Sequence, residues 1–258
     1  MRLALISDVH ANYPAFTAML EKLDQMNIDN WLCLGDLVGY GPQPEACVSE
    51  IRRRNIPCVL GNHDSAAVGF MPLMAFKEPN RSLLKQTKNL LSRESQSFFK
   101  KCNLVLRSDD AHIFDDSAGG GEQHSWLAAH ASPLEPATWP YMDSAAKCRN
   151  VLEQFEDYDF IFVGHTHCPA MLAHKLGVIT MKRGNRYMFN PGSIGQPRDG
   201  DERPSAMVID TDKFEYQKIR VEYDVEETLE AYKPLGISEA DARRLLKLKK
   251  KKSKWWFF

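Results

Sequence analysis

No stretch of about 18 consecutive apolar residues occurs in the 258-residue chain, which excludes a membrane-spanning helix by length alone. The opening segment, MRLALISDVHAN, has one Arg and an apolar stretch that Asp8 interrupts, too short for a secretory signal, so the expected location is cytoplasmic. Close cysteine pairs are also missing. Cys33, Cys47, Cys58, Cys102, Cys148 and Cys168 contain no C-x-x-C, which argues against a zinc ribbon, a thioredoxin motif or a dense disulfide framework. They read as small buried hydrophobes of a reducing compartment. Net charge is nearly absent too, at −1, but the sum conceals a division. The last 18 residues hold eight Lys or Arg against the single Asp241, whereas the preceding 240 hold 25 basic and 33 acidic side chains.

What is present, 43% hydrophobic and 26% charged residues, fits a globular domain rather than a disordered chain. LALIS (3–7), WLCLG (31–35) and CVLG (58–61) read as buried strands, separated by a helix that begins near Pro14 and another over Pro44 to Arg54. That alternation implies a parallel sheet with right-handed crossovers. A long helix over Arg81 to Cys102 follows, then expected strands NLVLR (103–107), AHIF (111–114) and SWLAAHA (125–131), a helix near Ser144–Phe155, and FIFVG (160–164). The second half turns to short strands: MLAHK, LGVIT, RYMFN, SAMVID and KFEYQKIRVEY (213–223). No linker divides the chain. One α/β domain over 1–233 and a basic, aromatic helix or tail over 234–258 is the expected organisation.

Metal-capable residues gather at the ends of these strands. Asp8 and His10 follow LALIS, Asp36 follows WLCLG, and Asn62, His63 and Asp64 follow CVLG. His130 ends SWLAA, and His165 and His167 follow FIFVG. The carboxyl edge of an α/β sheet is where ligands bind, so five clusters on that edge imply one site. Asp8 and His10, like His165 and His167, are two apart and leave an extended chain on the same side. Carboxylates, an amide oxygen and imidazoles without thiolate suit Mn²⁺, Fe²⁺, Zn²⁺ or Mg²⁺ rather than soft metals. Seven candidate ligands exceed the needs of one ion with open positions. Two ions about 3.5–4 Å apart would use them and clamp both the attacking and leaving oxygens of a phosphoester.

Taken together, D-x-H (Asp8, His10), G-D (Gly35, Asp36), G-N-H-D (Gly61 to Asp64), the isolated His130 and G-H-x-H (Gly164 to His167) resemble the signature of the calcineurin-like metallophosphoesterase superfamily. SDVHAN, GDLVGYGP and NPGSIGQPRDGD are similar to its small bacterial and archaeal branch, and the resemblance covers about residues 1 to 223. It implies an α/β fold, a β-sandwich flanked by helices in four layers (αββα), with the active site at the C-terminal strand ends. It further implies that Asp8, His10, Asp36 and His167 hold one divalent ion and Asp36, Asn62, His130 and His165 the other, with Mn²⁺ favoured. A water or hydroxide between the ions would attack phosphorus. His63 would donate to the substrate while Asp64 accepts from its other ring nitrogen. Asn12 and Arg198 would contact the phosphate. Family members often carry Gly where Ala131 stands, and larger protein phosphatases of the superfamily have Arg where this chain has Leu60.

The function so implied is a dinuclear metal-dependent phosphoester hydrolase, preferentially a phosphodiesterase or a nucleotide or dinucleotide hydrolase. A protein or small-molecule phosphomonoesterase is the alternative. A non-catalytic scaffold, the use to which the retromer subunit of the superfamily puts this fold, is a second one. His112, His124 and His174 match no motif and read as ordinary hydrogen-bonded residues. GGG (119–121) precedes no Lys-Ser/Thr and is not a phosphate loop, and Gly192 and Ser193 read as shaping the loop beside the metals. For the tail, a solvated end, an anionic membrane surface, nucleic acid, and packing on its own fold or a second subunit all stay open.

Overall fold

The computed structural model describes residues 1–111, 113, 124–175, 177–178 and 180–248. Two sheets stack face to face. The first has the order β2 (Asn30–Cys33), β1 (Arg2–Ile6), β8 (Ser205–Asp210), β9 (Glu215–Arg220). The second runs β3 (Val105–Arg107), β4 (Trp126–Ala129), β5 (Phe160–Phe162), β7 (Tyr187–Asn190), β6 (Ala170–Ala173).

Strand alternation explains the layering. In β1, Leu3 and Leu5 face inward and pack with Trp126, Phe160, Phe162 and Phe189 of the second sheet. Ala4 and Ile6, pointing the other way, pack under Phe16, Met19 and Leu23 of α1 (Tyr13–Asp24) and Val48 and Ile51 of α2 (Pro44–Arg53). On the far side, Leu127, Ile161 and Met188 of the second sheet meet Val151 and Leu152 of α6 (Ala145–Gln154). Helix, sheet, sheet and helix follow in that order, so the central strands are covered on both faces and are apolar along most of their length.

The sheets are mixed rather than parallel. β1 pairs parallel with β2 but antiparallel with β8, and β5 pairs parallel with both β4 and β7. Four expected elements differ in detail. CVLG makes only an isolated bridge, Cys33 with Cys58, because the chain leaves the sheet at Gly61 to start α3 (Asn62–Ala67). The expected long helix over 81–102 is two, α4 (Asn80–Leu90) and α5 (Arg93–Lys101). Leu91 turns extended and the Ser92 hydroxyl caps α5 by accepting from the Ser95 N–H at 3.1 Å. AHIF and LGVIT form no strand among the described residues; His112, most of the 111–123 segment and part of LGVIT lie outside them.

A satellite core sits beside the sandwich. Tyr232 and Leu229, associated with α7 (Val225–Ala231), pack with Leu83 of α4 and with Ala242, Leu245 and Leu246 at α8 (Glu239–Leu245). The expected tail over 234–258 therefore begins as a docked helix that crosses residue 240, and its lysine-rich, aromatic end from residue 249 lies outside the described residues. All six cysteines are free thiols, with Cys33, Cys47 and Cys58 buried. No helix among the described residues is long and apolar enough to cross a membrane.

Candidate metal centre

The loops that leave the strand ends continue the ladder of β1 and β2 for three more residues. Asp8 N donates to Gly35 O (3.0 Å), His10 N to Asp36 O (2.9 Å) and Ala11 N to Leu37 O (2.8 Å). Asp8, His10, Asp36, His165 and His167 all have φ between 49° and 65°. Left-handed backbone at a non-glycine costs on the order of 1–3 kcal/mol per residue, and five such residues around one point mark a site where surrounding bonds hold strain in place. The expected convergence of Asp8 with His10 and of His165 with His167 is found, but its cause differs: the pairs converge through left-handed turns, not through extended chain.

Buried side chains meet there. Asp8, His10, Asp36, His130 and His167 are at most 2% exposed, and Asn62, His63 and His165 at most 7%. Three sets of donor atoms each lie within 4.8 Å of one another: Asp8, His10, His167; His10, Asp36, His63; and Asp36, His130, His165. Asp36 belongs to two of them. The Asn62 side-chain oxygen and Asp8 Oδ1 find no hydrogen-bond partner among the described residues. Asp8 Oδ1 instead lies 3.2 Å from His167 Nε2 and 3.7 Å from His10 Nε2.

The imidazoles make the metal-binding character explicit. His10 Nδ1 lies 3.0 Å from the Val38 carbonyl, and His167 Nδ1 lies 2.6 Å from the Gln196 carbonyl. A carbonyl only accepts, so both Nδ1 atoms carry the proton and both Nε2 atoms present a lone pair. Those two Nε2 atoms are 3.1 Å apart. Facing lone pairs need a cation between or beside them. Burial pushes His10 well below its ordinary value, with His63 and His167 adding to the effect, so a proton is a poor candidate for that cation and a divalent ion a good one. His130 also donates from Nδ1 to a carbonyl, Leu34 O at 2.6 Å, with its Nε2 3.1 Å from His165 Nδ1 and 3.3 Å from Asp36 Oδ2, but it differs from His10 in that the Asp36 and Asp8 charges outweigh burial and raise it to about 10. Burial opposes the charges on Asp8 and Asp36, but the surrounding histidines outweigh it and hold both carboxyls well below the usual carboxylate range.

Two expected roles, those of Asp64 and Asn12, change. Asp64 does not meet the His63 ring: its carboxylate accepts from the Val38 N–H (3.1 Å) and the Gly61 N–H (3.2 Å), tying the third strand-end loop to the second. His63 Nδ1 has no hydrogen-bond partner among the described residues, and the ring is clamped by packing instead, against His10, Tyr40 and Phe76 at centroid distances of 4.7–4.8 Å. A Cβ on Gly39 would stand 2.0 Å from that Nδ1, so only glycine fits beside it. Asn12 is fully buried and caps α1; its oxygen accepts from Thr228 Oγ1 (2.9 Å) and its amide donates to Gly195 O (3.2 Å), leaving nothing to offer a substrate. Arg198 does reach the cavity above the metal cluster. Ser193 shapes the loop as expected, donating from its hydroxyl to Asp8 O (2.8 Å), whereas His124 and His174 lie elsewhere, bonded to Asp159 and to the Arg186 N–H.

Sequence reading missed other residues. Tyr40 stands within GDLVGYGP, and its ring lies against both His10 and His63. Gln196, in NPGSIGQPRDGD, supplies the carbonyl that fixes His167. Tyr141 stacks on His165 at 4.1 Å with no motif around it to signal this.

A sandwich of two mixed sheets with buried Asp and His donors at its strand ends defines a metallophosphoesterase-type fold and site. Comparison with known proteins agrees. Residues 1–213 match the model of the calcineurin-like phosphoesterase superfamily domain. An uncharacterized protein of Methanocaldococcus jannaschii is 33% identical over 235 residues, covering 88% of this chain and 90% of the relative. The crystal structure of a metallophosphoesterase from Sphaerobacter thermophilus is 31% identical and superposes with a TM-score of 0.74 over 95% of this chain and 98% of that one. A hypothetical protein of Pyrococcus horikoshii shares the fold, with a TM-score of 0.75 over 95% and 97% of the two chains at 20% identity. The chain belongs to the calcineurin-like phosphoesterase superfamily, whose members use divalent metals, and it is a metal-dependent phosphoester hydrolase.

Proposed function

We propose that the protein hydrolyses phosphodiesters, including nucleotide or dinucleotide substrates, at a pair of divalent ions. The observation that carries the two-ion reading is the convergence of buried donor sets on Asp36, which belongs both to the set with His10 and His63 and to the set with His130 and His165, beside the set of Asp8, His10 and His167. Asp8, His10, Asp36 and His167 would hold one ion, and Asp36, Asn62, His130 and His165 the other. Manganese suits this oxygen and nitrogen set, as do iron, zinc and magnesium. When bound, such ions supply Lewis acidity to phosphoryl oxygens and an ionised water at neutral pH.

The chain's own residues do the remainder. Tyr40, Phe76 and His10 hold the His63 ring, with its Nε2 3.9 Å from Asp36 Oδ2, where its N–H donates a hydrogen bond to an oxygen of the substrate. Burial keeps His63 down to about 4, so near neutral pH it acts as a neutral donor. Leu60, 3% exposed, takes the place of an arginine that larger protein phosphatases use against a dianionic monoester. A diester carries one charge fewer, which favours the diester reading.

Hydrolysis of bis(p-nitrophenyl) phosphate and p-nitrophenyl phosphate with added Mn²⁺ separates the two ester classes. Faster turnover of the bis-ester is expected. Preference for the monoester would establish the phosphatase alternative, and no turnover of either with any divalent ion would remove the proposal for simple substrates.

A further inference from the structure

The cavity above the metal cluster, about 1040 Å³, is larger than one phosphoryl group needs. One of its walls is the C-terminal segment: Asp241, Arg244, Leu245 and Lys247 face it beside Gln196 and Arg198. Their charges are not equally available. Asp241 accepts from the Ser238 hydroxyl at 2.8 Å and binds the Arg244 guanidinium, so that pair is internally neutralised. Arg198 and Lys247 have no carboxylate within ion-pair distance among the described residues, and the nearby Asp199 is taken by Arg220. Arg198 and Lys247 both line the same cavity, and burial, with the Arg198 charge adding to it, holds the Lys247 ammonium below its ordinary value.

Gln196, 1% exposed, fixes this arrangement relative to the metal cluster. Its Oε1 accepts from Arg198 Nε (2.9 Å) and Nη2 (2.6 Å), its amide donates to the Leu245 carbonyl of α8, and its backbone carbonyl accepts from His167. A single ring separates Arg198 from the expected reaction centre. Tyr40 lies 4.7 Å from both His10 and His63 by centroid, and Arg198 Cζ lies 5.9 Å from the same centroid. Two cations on one wall of a cavity, with no carboxylate within ion-pair distance of either among the described residues, favour an anion there.

We propose that Arg198 and Lys247 form a second anion subsite, so that the preferred substrate is a phosphodiester bearing a further phosphate group away from the scissile one. The substrate class rests on the phosphodiesterase reading, whereas the subsite itself does not. In this account α8 and the residues after it set specificity, which places the start of the basic C-terminal region inside the active-site wall.

The test uses the Mn²⁺-loaded full chain and two pairs of probes differing by one phosphate. Calorimetric titration with thymidine 3′,5′-bisphosphate and thymidine 5′-monophosphate reads the subsite. The bisphosphate is expected to bind about tenfold tighter, with Lys247→Gln removing that preference and Lys247→Arg keeping it. Equal binding of the two by the wild-type protein, or an unaltered preference in Lys247→Gln, overturns the subsite. Turnover of thymidine 5′-(4-nitrophenyl phosphate) and its 3′-phosphate reads the substrate class, with kcat/KM expected to favour the bisphosphorylated ester and Lys247→Gln to lower that ratio through KM. No turnover of either ester, with the binding preference intact, overturns the phosphodiesterase reading and leaves the subsite standing.

Discussion

Replacing Gly61 with alanine should damage the metal centre without touching a candidate ligand. Gly61 has φ of −90°, which alanine adopts freely, so backbone preference alone would favour the change by about 0.4–1 kcal/mol through the unfolded chain. Space forbids it. The added Cβ would lie 2.1 Å from Asp36 Oδ1, 2.3 Å from Asp36 N and 2.8 Å from Asp36 Cγ. One of those atoms is backbone, held where His10 N bonds the Asp36 carbonyl, so a rotation of the side chain cannot relieve the overlap. The loop after β2 must part from the start of α3, and the 2.8 Å bond from His63 N–H to Asp36 Oδ1 is lost. Overpacking costs about 1–3 kcal/mol and a hydrogen bond to a buried carboxylate about 1.5–3 kcal/mol, a net of roughly 2–5 kcal/mol after the favourable backbone contribution. At about 2–4 °C per kcal/mol for a domain of this size, Tm should fall by roughly 4–20 °C in calorimetry. After loading with Mn²⁺, bound metal measured by elemental analysis after gel filtration should fall with it because Asp36 is displaced. Gly69→Ala is the control: its φ is +86° but nothing lies within 4 Å of the new Cβ, so it costs only the left-handed strain of about 1–2 kcal/mol and leaves metal content unchanged. Wild-type Tm and metal content in Gly61→Ala would refute the packing of Asp36 against this position.

His63→Ala should cut turnover by about 10²–10⁴-fold in steady-state assays while bound metal stays at the wild-type level; loss of metal would make His63 a ligand instead of a donor. Leu245→Ala should cost about 2–5 kcal/mol in denaturant unfolding, since Leu245 is buried against Leu83 and Tyr232, and an unchanged midpoint would mean α8 does not dock. The chelated protein should lose stability as pH falls from 6.5 to 4.5. Burial lowers His10 well below its ordinary value, His63 to about 4 and His165 to about 3, so the unfolded chain takes up these protons first and acid favours unfolding. Asp64, raised to about 8 by burial and the Asp36 charge, works the other way, as does His130, raised to about 10 against burial by the Asp36 and Asp8 charges and so gaining little further below 6.5; a Tm rising over that window would contradict the balance.

The chemistry of this protein was legible because metal ligation restricts residue type and because β-strand ends confine position. Asp8, His10, Asp36, Asn62, His130, His165 and His167 can be picked out as one set from their places after apolar runs, and the structure brings them together. The helical and strand segments were readable for the same reason: burial on one or both faces imposes a period. Roles that depend on which atoms meet were not readable. Asp64 follows His63 directly, yet its carboxylate turns to the Val38 and Gly61 N–H groups, and Asn12 spends its amide on a cap and on Gly195. A side chain two residues from a motif has the same letters whether it faces a cavity or the core.

The sequence by itself determined the donor set, its order along the chain and the apolar alternation that stacks two sheets between helices. Tertiary structure decided the rest. Left-handed turns at φ of 49–65°, held by ladder bonds between neighbouring loops, aim the ligands where extended chain would not. Docking of Leu245 and Leu246 on Leu83 and Tyr232 carries Lys247 to the cavity that Arg198 also lines, a separation of 49 positions in the chain closed by apolar burial. Local composition records such a segment only as basic. Which charge it meets is a property of the core beneath it, and that is fixed only when the whole chain folds.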